Sequence, residues 1–420
     1  MELSPGYKQS EVGVIPEEWS VKTLGTLTTL LTNGFVGTVT NFYTDADDGV
    51  LYIQGYNVEE NGYNLHGIKR VTKSFHSQHQ KSCLQVGDLL TIQTGDIGVT
   101  TVVPQDFVGA NCHALVISRL DKKSTDSIFY CQYFNSEKGR IAFKEIETGT
   151  TMKHLNVGDM IKLPLPVPPL PEQRAISAAL SDSDALISGL DRLIAKKRDI
   201  KLAAMQQLLT GKKRLPGFSG EWEVKRLGDL GQFKNGINKG SEDFGHGFPF
   251  VNLMDVFGVP KLSTEVKLGL VNSSLEERNL YELKSGDVLF VRSSVKPSGV
   301  GLTTLVTQDM SNTVFSGFLI RYRNNGQLAS AFLEHCFFQA DFRNMLIANS
   351  TVSANTNINQ EALKKLELLF PTDKNEQSAI ANVLSDMDAE IVALEARRDK
   401  TCALKQGMMQ ELLTGRIRLV

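Results

Sequence analysis

The sequence predicts an α+β fold built twice: two pseudo-repeated mixed α/β domains separated by two long helices that form an antiparallel coiled coil. Residues 172–215 align on 376–419 without a gap at a constant offset of 204, with about half of the paired positions identical. Inside that repeat, Ile176, Leu180, Ile187, Leu190 and Ile194 recur at three- and four-residue spacing, as do Ile380, Leu384, Met387, Ile391 and Leu394, which gives one narrow apolar seam per helix. Outside it lie short β-branched and aromatic runs bounded by Gly, Asp or Pro, the pattern of strands.

Taken in order, 1–170 is the first domain, with strands at 50–54, 89–93, 99–103 and 114–118 and a helix at 127–143. The first long helix follows at 171–212, with Pro171 in its first turn. The second domain, 213–371, has strands at 288–292, 302–306 and 315–321 and a helix at 328–346. The second long helix is 372–416, where Asp373 and Glu376 have capping-box spacing. Gly211 and Gly415 stand as C-terminal stops, after roughly 60 Å of helix at 1.5 Å per residue. Beyond Ile194 the seam weakens, because Lys197 and Lys201 occupy the next apolar positions. A tandem repeat folded with pseudo-twofold symmetry lays its helices antiparallel, with the domains at opposite ends. The globular parts share only landmarks: Glu18 Trp19 with Glu221 Trp222, Asn33 Gly34 with Asn235 Gly236, Gly87 Asp88 with Gly286 Asp287, and Thr100 Thr101 with Thr303 Thr304. Between these the copies diverge, which suggests one scaffold carrying two unlike surfaces.

Composition restricts the function classes. A chain of 420 residues exceeds one ordinary core. No apolar run approaches the roughly 20 residues of a membrane span, and the N-terminus lacks a secretory pattern, so no membrane association and a cytoplasmic location are expected. Five cysteines with no CxxC pair read as free buried thiols. A net charge of −2 gives no overall field for nucleic acid, so any such affinity must come from local Lys and Arg.

Catalytic motifs are missing. Pro168 Pro169 Leu170 lacks the flanking residues of an (N/D)PP(Y/F) methyltransferase tetrad, and Phe244 Gly245 His246 Gly247 precedes Phe248 Pro249 Phe250 rather than a helix. There is no GxxxxGK(S/T) loop. Glu282 Leu283 Lys284 imitates part of a nuclease site, yet the first copy has Cys83 Leu84 Gln85 there. His76 and His79 have no matching Cys or carboxylate cluster, so no metal site is expected. The chain reads as a binding protein, not an enzyme.

The turns carry groups that suit base edges and phosphates. In the first domain these are Thr32, Asn33, Gln54, Lys69, Arg70, Lys73, Gln93, Thr94, Thr150, Thr151, Lys153 and His154. In the second they are Lys234, Asn235, Asn252, Arg292, Ser293, Ser294, Lys296 and the polar run 349–359 with Asn355 and Asn357. Gln93 corresponds to Arg292 at equivalent strand ends, an exchange that would separate adenine from guanine preference. A coiled-coil scaffold with two protein-binding domains is the alternative.

The entry Ile15 Pro16 Glu17 Glu18 Trp19, the exit Pro166 Val167 Pro168 Pro169 Leu170 Pro171 Glu172 Gln173 and the helix end Gln206 Gln207 Leu208 Leu209 Thr210 Gly211 resemble the shared regions of type I restriction-modification specificity subunits. The second copy repeats them with Phe370 Pro371 and Glu376 Gln377, without the proline run. The resemblance spans nearly the whole chain. It implies two target-recognition domains, each reading half of a bipartite double-stranded DNA site. It further implies partner-binding helices, two methyltransferase subunits and restriction/translocase subunits. Cofactors (S-adenosylmethionine, ATP and Mg) would belong to those partners and none to this chain. On this reading four residues added near Met205 lengthen the helix by about 6 Å, or roughly two base pairs. Methylation sequencing should then show a longer gap between unchanged half-sites, and an unaltered target refutes the expectation.

Overall fold

The computed structural model describes residues 5–150 and 153–419. The chain divides into two compact units, Met1–Asp191 with Ala396–Val420, and Arg192–Glu395. The long helices are Leu170–Leu208 and Lys374–Leu412, 39 residues each. Each unit thus combines one globular part with halves of both helices, because each helix half packs on the globular part beside it.

In the first unit a four-stranded antiparallel sheet has the order Thr100–Val102, Leu89–Ile92, Leu115–Leu120, Thr28–Asn33. Alternate side chains face opposite sides of it. Leu89, Val116 and Leu120 join a core that includes Trp19, Phe129 and Phe134, while Leu90, Ile92 and Ile117 join a second cluster under the strand Val50–Ile53. Both faces are covered, which explains why these strands read as continuous apolar runs. A smaller sheet pairs Val50–Ile53 parallel to Asn111–Cys112 and antiparallel to Lys69–Val71. The second unit repeats the plan. Its main sheet runs Gly231–Asn235, Leu319–Asn324, Val288–Val291, Thr303–Val306, with Lys261–Leu262 added in parallel at the edge. Its smaller sheet pairs Phe244–Val251 with Val314–Phe315 and Gly269–Val271.

The landmark Gly-Asp dipeptides hold buried ion pairs. Asp88, 1% exposed, takes two guanidinium bonds from Arg119 at 2.8 Å, and Asp287, also 1% exposed, takes two from Arg323 at 2.7 Å. Each carboxylate also accepts a backbone N–H, from Gln85 and Lys284, at 2.8 Å. Glu282-Leu283-Lys284 is thus one side of a structural turn: the Glu282 carbonyl accepts from Arg323 as the Cys83 carbonyl does from Arg119.

The expected helix at 127–143 is broken into Ser127–Asn135 and Glu137–Ile146, because Ser136 is extended and its hydroxyl accepts from the Gly139 N–H as an N-cap. The one at 328–346 is likewise split into Ser330–Cys336 and Ala340–Ala348. The strand expected at 315–321 is interrupted after Phe315. Cys112, Cys131 and Cys336 are buried, whereas Cys83 and Cys402 are half-exposed, so the expectation of buried thiols fits three of the five.

The helices run antiparallel within each unit. In the first, Lys405 pairs with Asp184 at 2.5 Å and Arg398 with Asp191 at 3.5 Å. In the second, Lys197 pairs with Glu390 at 2.6 Å, Arg198 with Glu395 at 2.5 Å, and Lys201 with Asp388. The lysines that weaken the seam are therefore answered by acids on the other helix. Ile176, Leu180, Leu190, Ile380, Leu384 and Ile391 are buried, Ile187 and Leu394 partly so, and the first two of each helix lie in the cores of the globular parts. These seam residues bind within the chain itself. A separate subunit docking on the helices must use their other faces.

Each helix start is clamped. Gln173 accepts from the Asp126 N–H at 2.8 Å and donates to the Pro168 carbonyl at 2.8 Å, and Gln377 does the same with Ala329 at 2.6 Å and Pro371 at 2.8 Å. Glu172 is gripped by Arg418 at 2.5 and 2.9 Å and by the Trp19 indole at 3.0 Å, and Glu376 by Arg214 at 2.5 and 2.6 Å. Glu376 thus serves an ion pair instead of completing a capping box, and Asp373 caps alone by accepting from the Asn375 N–H at 2.8 Å. Gly211 and Gly415 lie at φ of 68° and 73°, three residues beyond the last helical residues, as left-handed stops.

Arg418→Ala should destabilise the first unit by about 3 kcal/mol, since it leaves Glu172 buried without its cation. Urea unfolding reads this, and an unmoved midpoint contradicts it. His335 is buried, bonded to the Ser385 hydroxyl at 3.1 Å and faced by Glu334, Lys201, Asp388 and Lys261; burial lowers its pKa. Its neutral form is favoured in the fold, so this stability is intact above the unfolded histidine value of roughly 6.5 and is lost as pH falls below it. Melting of the second unit should therefore drop between pH 7 and 5 more than in His335→Gln, the residue type that Gln132 provides in the first unit.

Candidate nucleic-acid interface

Topology gathers polar strand ends at one edge of each unit. In the first, Thr28–Asn33 and Leu89–Ile92 both run antiparallel to Leu115–Leu120, with Asn33 opposite Val116 and Ile92 opposite Leu115. Asn33 and Gln93 therefore emerge at the same end. Cys112 ends beside Ile53, and the chain turns through His113 and Ala114 into Leu115, which brings Gln54 there too. The Gln93 carbonyl accepts from the Leu155 N–H at 3.0 Å, and Thr94 bridges to His154, which bridges to Thr148.

The second unit has the same arrangement. Asn235 lies opposite Ile320, Val291 opposite Leu319, and Val251 beside Phe315. The Arg292 carbonyl accepts from the Ile358 N–H at 3.0 Å, and Ser293 and Ser294 pair with Asn357 and Thr356. Gln93 and Arg292 are thus structural equivalents, down to the backbone bond behind each. Arg292 is half-buried, and its Nη1 donates to the Gly317 carbonyl at 3.3 Å, which fixes the guanidinium at the strand end.

The other candidates separate by what already occupies them. Asn33, Thr94, Lys296 and Asn355 are exposed at these ends, and Asn235, Ser293, Ser294 and Asn357 are half-buried there. Lys69 is exposed on a strand opposite Tyr52, near Gln54, whose amide donates to the Tyr56 hydroxyl at 3.1 Å. Thr32 is 5% exposed, its side chain turned into the sheet, so it has no surface to offer. The Arg70 guanidinium donates to the Gly49 carbonyl at 2.6 Å, and Lys73 pairs with Asp48 at 2.8 Å, both away from the Gln54 end. Lys153 is exposed but pairs with Glu147 at 3.1 Å. Lys234 lies 4.9 Å over the Tyr281 ring, half-buried beside Arg321, and burial lowers its pKa. Asn252 caps a short helix by accepting from the Leu253 N–H at 2.8 Å. Thr151 lies outside the described residues.

His76 and His79 are structural. His76 bonds to Asn111 at 2.7 Å, and His79 packs 4.3 Å from the Phe75 ring centroid. Sequence reasoning missed His113, which meets the Tyr52 hydroxyl at 3.0 Å, and the exposed Tyr56, Val295 and Phe318. Only topology brings them to the strand ends; in sequence they look like core or turn residues. Among the described residues, no helix is long and apolar enough to cross a membrane.

Known proteins share this plan. The family model described as "Type I restriction modification DNA specificity domain" matches residues 16–196 and again 219–401. The EcoKI type I restriction enzyme specificity subunit of Escherichia coli (strain K12) is 22% identical over 428 residues, spanning 97% of this chain and 90% of that protein. The MjaVIII specificity subunit of Methanocaldococcus jannaschii is 24% identical over 306 residues, covering 68% and 70%. Among solved structures, the S subunit of a type I restriction-modification system from M. genitalium has a TM-score of 0.57 at 15% identity over 98% of both chains. A chain from a study of type I complex assembly and conformational transition has a TM-score of 0.60 at 18% identity, over 96% of this chain and 99% of that one. At such identities the structures share the fold. Matched twice over most of its length, this chain belongs to the type I restriction-modification DNA specificity family.

Proposed function

We propose that this chain is the non-catalytic DNA-sequence-recognition subunit of a type I restriction-modification complex, each unit reading one half of a bipartite double-stranded target. The observation that carries this reading is the pairing of like scaffolds with unlike tips. The Asp88–Arg119 and Asp287–Arg323 pairs and the Gln173 and Gln377 clamps repeat in kind, whereas the equivalent strand ends present Gln93 and Arg292. A glutamine amide suits adenine N6/N7 and a guanidinium suits guanine O6/N7. Asn33, Gln54, Lys69 and Thr94 are the further contacts we assign to the first half-site, and Asn235, Ser293, Ser294, Lys296, Asn355 and Asn357 to the second.

We take 1–170 and 213–371 as the recognition domains and 171–212 and 372–416 as spacer helices. The repeated helix surfaces support docking of two methyltransferase subunits, and the lack of catalytic motifs leaves methyl transfer, translocation and cleavage to these and to restriction subunits. S-adenosylmethionine, ATP and Mg would be bound there.

Arg292→Gln in the complex co-expressed with its methyltransferase subunits should weaken one guanine preference by about 1–3 kcal/mol, or roughly 5- to 150-fold, in favour of adenine. Long-read mapping of methylated adenines reads the target. A change in both half-sites, or in neither, contradicts the assignment.

A further inference from the structure

The second unit's strand end carries large apolar side chains in water. Val295 is 80% exposed, Val352 76% and Phe318 57%. All three lie around Arg292. The Arg292 N–H donates to the Phe318 carbonyl at 2.8 Å, Val295 follows Ser294, and Val352 pairs with Thr356, itself paired with Ser294. A grouped apolar patch rimmed by polar residues marks a surface that is covered in use.

Phe318 has no counterpart in the first unit. There the bridge Phe35–His113 is followed by one residue, Ala114, before the Leu115 carbonyl accepts from Gly34. In the second, Ile237–Ser316 is followed by two, Gly317 and Phe318, before the Leu319 carbonyl accepts from Gly236. The added residue is the one pushed into solvent. Likewise, the loop after Gln93 is Thr94 Gly95 Asp96, with an exposed acid, where the second unit has Ser293 Ser294 Val295 Lys296.

Resting on the proposed function, the geometry points to a specificity contact: Val295 and Phe318 pack against the C5-methyl group of a thymine next to the base read by Arg292. Thymine is the base with an apolar group on its major-groove edge. Val295 is short and β-branched, long enough for a groove-edge methyl and too short to wedge between stacked bases. Lys296, exposed beside it, suits the adjoining phosphate.

The test uses the full chain in complex with its methyltransferase subunits and a duplex of the mapped target. Each thymine of the second half-site is replaced in turn by deoxyuridine, which lacks only the methyl. At one position binding should weaken about fourfold, as for burial of one methyl group. The difference should vanish in a Val295→Ala, Phe318→Ala double variant, which should leave first-half-site substitutions unaffected. Uracil tolerated at every position, a second half-site without thymine, or a methyl preference that survives in the double variant would each overturn the contact. A complex with no sequence preference at all overturns the proposed function itself.

Discussion

A buried glutamate at the start of each long helix, held by an arginine just beyond the end of the other, is the constraint on which the architecture rests. Glu172 and Glu376 are almost fully buried, and Arg418 and Arg214 supply their cations. A carboxylate inside a core is costly unless its partner is in place, so the helix start, the opposite helix end and the tryptophan entry strand must assemble together. In the second unit a continuous run of chain brings Gly211 against Trp222, and in the first the two terminal segments bring Gly415 against Trp19. The same junction is built from two different connectivities, which is why the repeat survives most clearly in the residues that form it.

The glutamine beside each glutamate extends the constraint into the globular part. With one amide it satisfies a backbone N–H and carbonyls that would otherwise be left unpaired where strand, loop and helix meet. The Asp-Arg pair at the far side of each main sheet does equivalent work for the turn at Gly87 or Gly286. With both ends of the scaffold fixed by buried polar networks, the strand ends are free to vary in length and chemistry without disturbing the core.

The near-neutral charge is compatible with nucleic-acid recognition once the partners of individual cations are counted. Many lysines and arginines along the helices and turns are neutralised by acids within hydrogen-bonding distance. Lys69 and Lys296 are exposed near the strand ends, and Arg292 is half-buried there. On the proposed function, these few cations would supply orientation and base discrimination, and the bulk of the phosphate attraction would fall to the assembled complex.

The sequence by itself determined the duplication, the long helices and the equivalence of Gln93 and Arg292, because each is carried by local periodicity or by dipeptides with fixed turn geometry. It also exposed Glu282 Leu283 Lys284 as a false nuclease match, through comparison with Cys83 Leu84 Gln85 of the other copy. Tertiary structure decided which polar residues are available at the strand ends. Thr32 is inside the sheet, Arg70 and Asn252 are spent on backbone groups, and Lys234 lies over a tyrosine ring, none of which local pattern reveals. It likewise put Phe318, from the expected strand 315–321, and Val295, from the turn after Arg292, at an exposed tip. Strand order and a single added residue set their exposure, and both depend on contacts between segments far apart in the chain.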